Sequence, residues 1–175
     1  RALFTALLSA FLIPCQAHSG KARFHAVIDT DGAPDDLRTL CMLLGNREVE
    51  VLAVTTSEGA LLPDSAAVRV RALLDSFYHE GVPVGAGRTL NAPAPAWRTR
   101  SAQVDWGDAA ACTGGFPPAQ TLIAETLENE EEKVVVIALG ALTNLYDVLR
   151  ENPALGDRID RIVWYNSRTE PLSGA

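Results

Sequence analysis

Cysteine is scarce in this chain, with three in 175 residues, at Cys15, Cys41 and Cys112. They lie far apart and show neither a CxxC pair nor a Cys/His spacing that would hold zinc. Cys41 sits in an apolar helical run and reads as a core residue. An exported chain is able to pair it with Cys112, although sequence alone supplies no geometry for such a bridge. Histidine is equally rare. His18, His25 and His79 fall near the start, in a strand and at a helix end, and none is placed as a general acid. Basic charge is outnumbered, 15 Lys and Arg against 22 Asp and Glu, for a net charge of -7 and a pI of about 4.9. That balance argues against a nucleic-acid partner, which is held by clustered Lys and Arg. There is no internal repeat, and no segment past the first residues is apolar for long enough to span a bilayer.

A real core is available, since 47% of the residues are hydrophobic, too many for a disordered chain. Much of the acid lies in one run, Glu128-Asn129-Glu130-Glu131-Glu132, which reads as a solvated helix end and turn. The chain opens on Arg1 rather than Met, so the reading frame is expected to begin upstream. An apolar stretch over 2–13, then Pro14-Cys15-Gln16-Ala17, reads as a signal peptide cut near Ala17. Residues 1–20 are therefore assigned to a signal region and 21–175 to the domain, with export to the periplasm or medium as the expectation.

Hydrophobic periodicity alternates between strand and helix. Strands are predicted over 24–29, 48–56, 82–85, 133–139 and 159–165. Helices are predicted over 34–44, 63–80 and 117–128, with a further one running from the Gly140–Asn144 turn to about 151. Residues 86–115, rich in Pro, Gly, Ala and Arg and carrying Trp97 and Trp106, show no period. They read as a functional flap or an insertion. The fold class this implies is α/β, an open and mostly parallel sheet with helices on both faces. Such sheets bind ligands beyond the carboxyl ends of their strands. Two signals fall on that edge: an acidic loop after the first strand and the Gly140–Asn144 turn after the fourth.

The loop is Asp29-Thr30-Asp31-Gly32-Ala33-Pro34-Asp35-Asp36. Four carboxylates so close repel one another, and each pKa rises unless a cation neutralises the group. A hard divalent ion with oxygen ligands suits them, and the lack of His and Cys argues against zinc. The Gly32-Ala33-Pro34 turn lets the chain fold back and bring Asp31 toward Asp36.

This loop resembles the Asp-x-Asp-Pro-Gly-x-Asp-Asp loop of the inosine/uridine-type nucleoside hydrolases, with all four acids and their spacing kept. The same family has a strand followed by a Gly-x-Leu-Thr-Asn turn, matched here by 134–139 and Gly140-Ala141-Leu142-Thr143-Asn144. Asn152-Pro153 and Arg161-Ile162-Val163 continue the likeness, which runs over about 24–165. The resemblance implies a Rossmann-like domain, here incomplete at its C-terminal side, that hydrolyses the N-glycosidic bond of a ribonucleoside or related riboside. It implies a calcium ion held by Asp31, Asp36 and the Leu139 carbonyl, with Asp31 also the general base. Asp35 is implied to hold ribose hydroxyls and Asp29 to support the loop. Asn144 and Asn166 are further expected substrate contacts. A homo-oligomer is left open.

Three departures stand out. Gly32-Ala33-Pro34 replaces Pro-Gly-x. Thr55-Thr56-Ser57-Glu58-Gly59-Ala60 lacks the family's Asn after the second strand, with Glu58 the expected substitute. Trp164-Tyr165-Asn166 replaces a glycine pair, and its rings are suited either to stacking a base or to core packing. The family's final calcium-binding Asp, and a His beside the leaving base, are expected further downstream, so the chain alone is expected to be inactive or weak. Two alternatives remain. One is a secreted nucleoside- or sugar-binding protein without turnover. The other is a haloacid dehalogenase-like phosphatase, whose Asp-x-Asp-Gly start Asp29 and Asp31 resemble.

Overall fold

The structure, a computed structural model, describes residues 22–108 and 115–165. The signal region, Cys15, Cys112, His18 and Asn166 lie outside the described residues. Among the described residues five strands form one sheet: β1 Phe24–Thr30, β2 Val49–Thr56, β3 Val84–Ala86, β4 Val134–Ala138 and β5 Ile159–Trp164. All pairings are parallel and the spatial order is β3-β2-β1-β4-β5. The chain therefore steps outward from β1 through β2 to β3, then returns to the other side of β1 to lay down β4. Strand order reverses between β1 and β4, the place where open parallel sheets leave a crevice.

Parallel strands need crossovers, and these are the helices α1 Pro34–Leu44, α2 Pro63–Ser76, α4 Ala119–Asn129 and α5 Thr143–Glu151. Both α1 and α2 start with proline at the first helical position, where its missing N–H costs nothing. Successive side chains of β1 point to opposite faces, and the two cores divide accordingly. Ile28 packs with Leu37, Leu40, Val54, Leu73 and Leu74 under α1 and α2. Val27 packs with Ala53, Leu122, Ile123, Leu127 and Val148 under α4 and α5.

The differences from the sequence expectation have local causes. Helix α2 stops at Ser76 rather than near 80, because Tyr78 takes a left-handed backbone with φ 60°. The His79 N–H then turns back to the Leu74 carbonyl at 2.9 Å. Strand β3 begins two residues late. The Val82 N–H bonds to His79, and only Val84 to Ala86 lie in register with Val54 to Thr56. A 3-10 turn, Pro153–Arg158, leads into β5. Strand β5 is one of the two edge strands, and Ile162, Val163 and Trp164 on it are about half exposed. Within the aperiodic stretch lies a short helix, α3 Arg98–Ala102. Among the described residues no helix is long and apolar enough to cross a membrane.

Leu74 is fully buried between α2 and the sheet, whereas Met42 on α1 is 75% exposed. Leu74→Ala is expected to destabilise the chain by about 2–5 kcal/mol and Met42→Ala by at most about 0.5 kcal/mol in urea unfolding. Equal effects would contradict this packing.

Candidate functional site

The acidic loop is built from the end of β1 outward. Asp29 is 4% exposed, and its Oδ1 accepts from the Thr55 hydroxyl at 2.7 Å and from the Asn144 amide at 2.8 Å. The same amide donates to the Thr56 carbonyl at 2.9 Å. The Leu139 N–H donates to the Asp29 carbonyl at 2.8 Å, so the first residue after β4 is stitched to β1. One residue on, the buried Thr30 hydroxyl donates to Asp36 Oδ2 at 2.8 Å and accepts from the Gly32 N–H at 3.0 Å. This closes the loop onto the start of α1.

Asp31 is held from two sides. Its Oδ1 accepts from the Ala33 N–H at 3.1 Å and its Oδ2 from the Ala60 N–H at 2.9 Å. Its carbonyl accepts from Leu61 N–H at 2.9 Å. Two glycines are required by this packing. Gly32 has φ +77°, and a Cβ there would stand 2.9 Å from the side chains of Ala66 and Leu61. A Cβ on Gly59 would come within 2.2 Å of the Asp31 carboxylate. Ala60, without a polar side chain, serves the site through its backbone N–H, which grips Asp31.

The electrostatics follow from burial. The Asp29 carboxyl is pushed up from 3.8 to about 6, chiefly by burial, with the Thr55 and Asn144 bonds opposing. Asp36 is pushed further, to about 7, by burial and then by the neighbouring Asp31 charge. Both favour the protonated carboxyl as long as no cation is near.

Asp31, Asp35, Asp36 and Leu139 line one cleft of about 550 Å³, together with Arg38, Trp97 and Arg100. The structure thus brings together the residues expected to hold a cation and a sugar. Asn144 and Glu58 stand elsewhere. Asn144 is 1% exposed, a strut behind the site whose amide is spent on Asp29 and Thr56. Glu58 is buried too. Its Oε2 accepts from the N–H groups of Leu90 and Asn91, and its Oε1 lies 3.5 Å from the Arg98 guanidinium. Asp29, the nucleophile of the phosphatase alternative, is enclosed and already hydrogen-bonded.

The cation set is partial. Among the described residues no three Asp, Glu, His or Cys side chains gather as a metal cage. Two carboxylates and a carbonyl fit a hard cation in ligand type. They leave much of the six- to eight-oxygen shell that calcium takes to water, substrate or other segments.

Sequence reading missed Thr30 and Thr55, whose hydroxyls satisfy the buried acids, and the way the flap is fastened. Arg98 donates to the Gly59 carbonyl at 2.9 Å, and Arg69 on α2 donates to the carbonyls of Ala102 and Val104. Arg88 Nε donates to buried Asp147 at 2.7 Å. The stretch 86–108 is a wall pinned at several points. Its concentration of Arg was the visible signal, but nothing local named the partners.

Residues 26–168 match the family model described as inosine-uridine preferring nucleoside hydrolase. The chain is 28% identical over 149 residues to the inosine-uridine preferring nucleoside hydrolase of Leishmania major, covering 78% of this chain and 46% of that one. It is 29% identical over 147 residues to the pyrimidine-specific ribonucleoside hydrolase RihA of Salmonella schwarzengrund, with the same coverage. Among solved structures, the inosine-uridine preferring nucleoside hydrolase of Bacillus anthracis superposes with a TM-score of 0.71 at 26% identity, over 83% of this chain and 52% of that one. The chain spans about half the length of the curated relatives it matches.

Two outcomes are expected here. Without a cation, the folded chain keeps protons on Asp29 and Asp36 that the unfolded chain, titrating at 3.8, has released. Folded stability therefore falls as pH rises from about 4 to about 7. The thermal midpoint is expected to drop across this window and Asp36→Asn to flatten part of the slope; an unchanged slope in that variant counts against the burial of Asp36. Separately, Glu58→Ala is expected to speed amide exchange at Leu90 and Asn91 by roughly tenfold or more, leaving β1 and β4 protected. Unaltered exchange at both amides would mean that Glu58 does not fasten the wall.

Proposed function

The chain belongs to the inosine-uridine preferring nucleoside hydrolase family, and on that premise we propose that its protein hydrolyses the N-glycosidic bond of a riboside with the help of a calcium ion. The observation that carries this reading is the convergence of Asp31, Asp35, Asp36 and Leu139 on one cleft at the strand-order reversal. The named relatives are hydrolases of inosine, uridine or pyrimidine ribonucleosides, and each is about twice as long as the aligned part of this chain. Activity, substrate and cofactor are therefore proposed for the whole protein.

Asp31, Asp36 and the Leu139 carbonyl would hold the cation. When bound, such an ion lowers the pKa of a coordinated water and offsets the repulsion among the acids. Asp31 then accepts the proton from the attacking water. The Ala33 and Ala60 N–H groups fix its carboxylate in place. Asp35, exposed on the rim, is the residue for ribose hydroxyls. Water adds at the anomeric carbon as the C–N bond breaks, and the carboxylates stabilise the positive charge that develops on the sugar. The departing base needs a proton, and no histidine lines this cleft among the described residues. Asp29 and Asn144 act behind the site, holding β1, β2 and α5 in register. The apolar 2–13 segment supports export as part of the same proposal.

A second reading has one observation in its favour. Both Asp31 oxygens already accept backbone hydrogen bonds, and the carboxylates form no three-residue cage. A protein that binds a riboside without turning it over would tolerate that arrangement.

Calcium titrated into the whole protein by calorimetry is expected to bind with about one equivalent, and Asp36→Asn to weaken it by tenfold or more. Ribose release from inosine and uridine by the whole protein separates the two readings: calcium-dependent release supports hydrolysis, and binding without release supports the second. Calcium affinity indifferent to both Asp31→Asn and Asp36→Asn would overturn the cation assignment.

A further inference from the structure

Two guanidinium groups line the candidate cleft without a partner among the described residues. Arg38 projects from α1 and Arg100 from the short helix α3, and both line the cavity that also exposes Asp31, Asp35 and Asp36. Among the described residues neither side chain makes an ion pair or a hydrogen bond. The arginines nearby are all committed. Arg69 holds the carbonyls of Ala102 and Val104, Arg88 holds Asp147, and Arg98 holds Gly59 and faces Glu58. Arg71 is tied to Asp75 and to the carbonyls of His79 and Val82. In an acidic chain, two uncommitted cations on one cleft are a feature that needs a reason.

The wall that carries Arg100 is positioned. Buried Glu58 and the Arg98 bond fasten its start beside Asp31, Ser101 is 4% exposed, and Arg69 fastens the backbone just beyond it. Arg38 rides on a helix packed on the sheet through Leu37 and Leu40. Neither guanidinium sits on a loose loop. Trp97, 60% exposed, lines the same cleft and offers a flat apolar face. The cavity thus combines carboxylates suited to sugar hydroxyls, an indole suited to a ring, and guanidiniums suited to an anion.

A nucleoside alone leaves the last of these unused. Guanidinium forks match phosphate oxygens in pairs, and two of them match a dianion. We infer that Arg38 and Arg100 form an anion subsite of this cleft, so that the riboside it takes carries a phosphate monoester on its sugar. The inference rests on the riboside reading of the cleft and narrows its substrate class to a nucleoside monophosphate.

The test compares uridine with uridine 5′-monophosphate, titrated into the whole protein by calorimetry at fixed calcium, for the wild type and for Arg38→Gln/Arg100→Gln. Both arginines are exposed, so the double variant is expected to keep the wild-type thermal midpoint. The monophosphate is expected to bind about tenfold or more tightly than uridine. The double variant is expected to bring the two ligands close to equal affinity while leaving uridine unchanged. A preference that survives in the double variant assigns the phosphate to the cation and overturns the inference. Uridine binding with no gain for the monophosphate overturns it alone and leaves the riboside reading standing. Failure of both ligands to bind removes the riboside reading and this inference with it.

Discussion

A carboxylate buried where three strands end has to be satisfied from within the fold, and in this protein the Asp29 carboxylate organises the site. Its partners come from β2, through Thr55, and from α5, through Asn144, which lies 115 positions away in sequence. Burying a carboxylate is costly unless hydrogen bonds compensate, so these contacts constrain one another. Asn144 also ties the Thr56 carbonyl, and the Leu139 N–H ties the Asp29 carbonyl. The ends of β1, β2 and β4 are therefore locked at one level. Only then do Asp31, one residue past β1, and Leu139, one residue past β4, open onto the same cleft.

From this arrangement comes a division of labour among the four acids. Asp29 is structural, and burial pushes its carboxyl up to about 6. Asp31 is fixed by backbone N–H groups from both sides. Asp36 is half committed, held on one oxygen by Thr30 and by the Asp31 N–H, at 2.8 and 3.3 Å. Asp35 has no such ties and stands exposed on the rim. Identical side chains thus acquire different tasks through their hydrogen bonds and exposure, as carboxylates in one site commonly do.

The sheet and its helices were legible in the sequence because the signals are local. Apolar runs bounded by Gly and Pro fixed β1, β2, β4 and the starts of α1 and α2 within a residue or so. The acidic loop was legible because four acids in eight residues demand an explanation, and it does reach the cleft with Leu139. What escaped was long-range or conformational. Nothing near Tyr78 announces a left-handed residue that ends α2 early. Glu58 and Asn144 looked like polar groups on the binding edge, and both are there. Their partners, however, lie 32 and 115 positions away, and those partners draw them inward. The flap carried no period because its order comes from polar ties to other elements, through Arg69, Glu58, Asp147 and the Gly59 carbonyl, a pattern that hydrophobic periodicity does not record.

On the proposed reading, Asp36 would be contested by a proton and a cation. Burial and mutual repulsion push Asp36 up to about 7, so near neutrality a proton occupies it much of the time. A hard cation does the same electrostatic work, and it does so only if the proton leaves. Cation affinity should therefore strengthen with rising pH through the range in which the cation-free fold weakens. The acids destabilise the fold only when both occupants are absent. If a cation binds as proposed, it would relieve the same repulsion that raises Asp36, so the cost of the acidic cluster and its affinity for a cation would have a common origin.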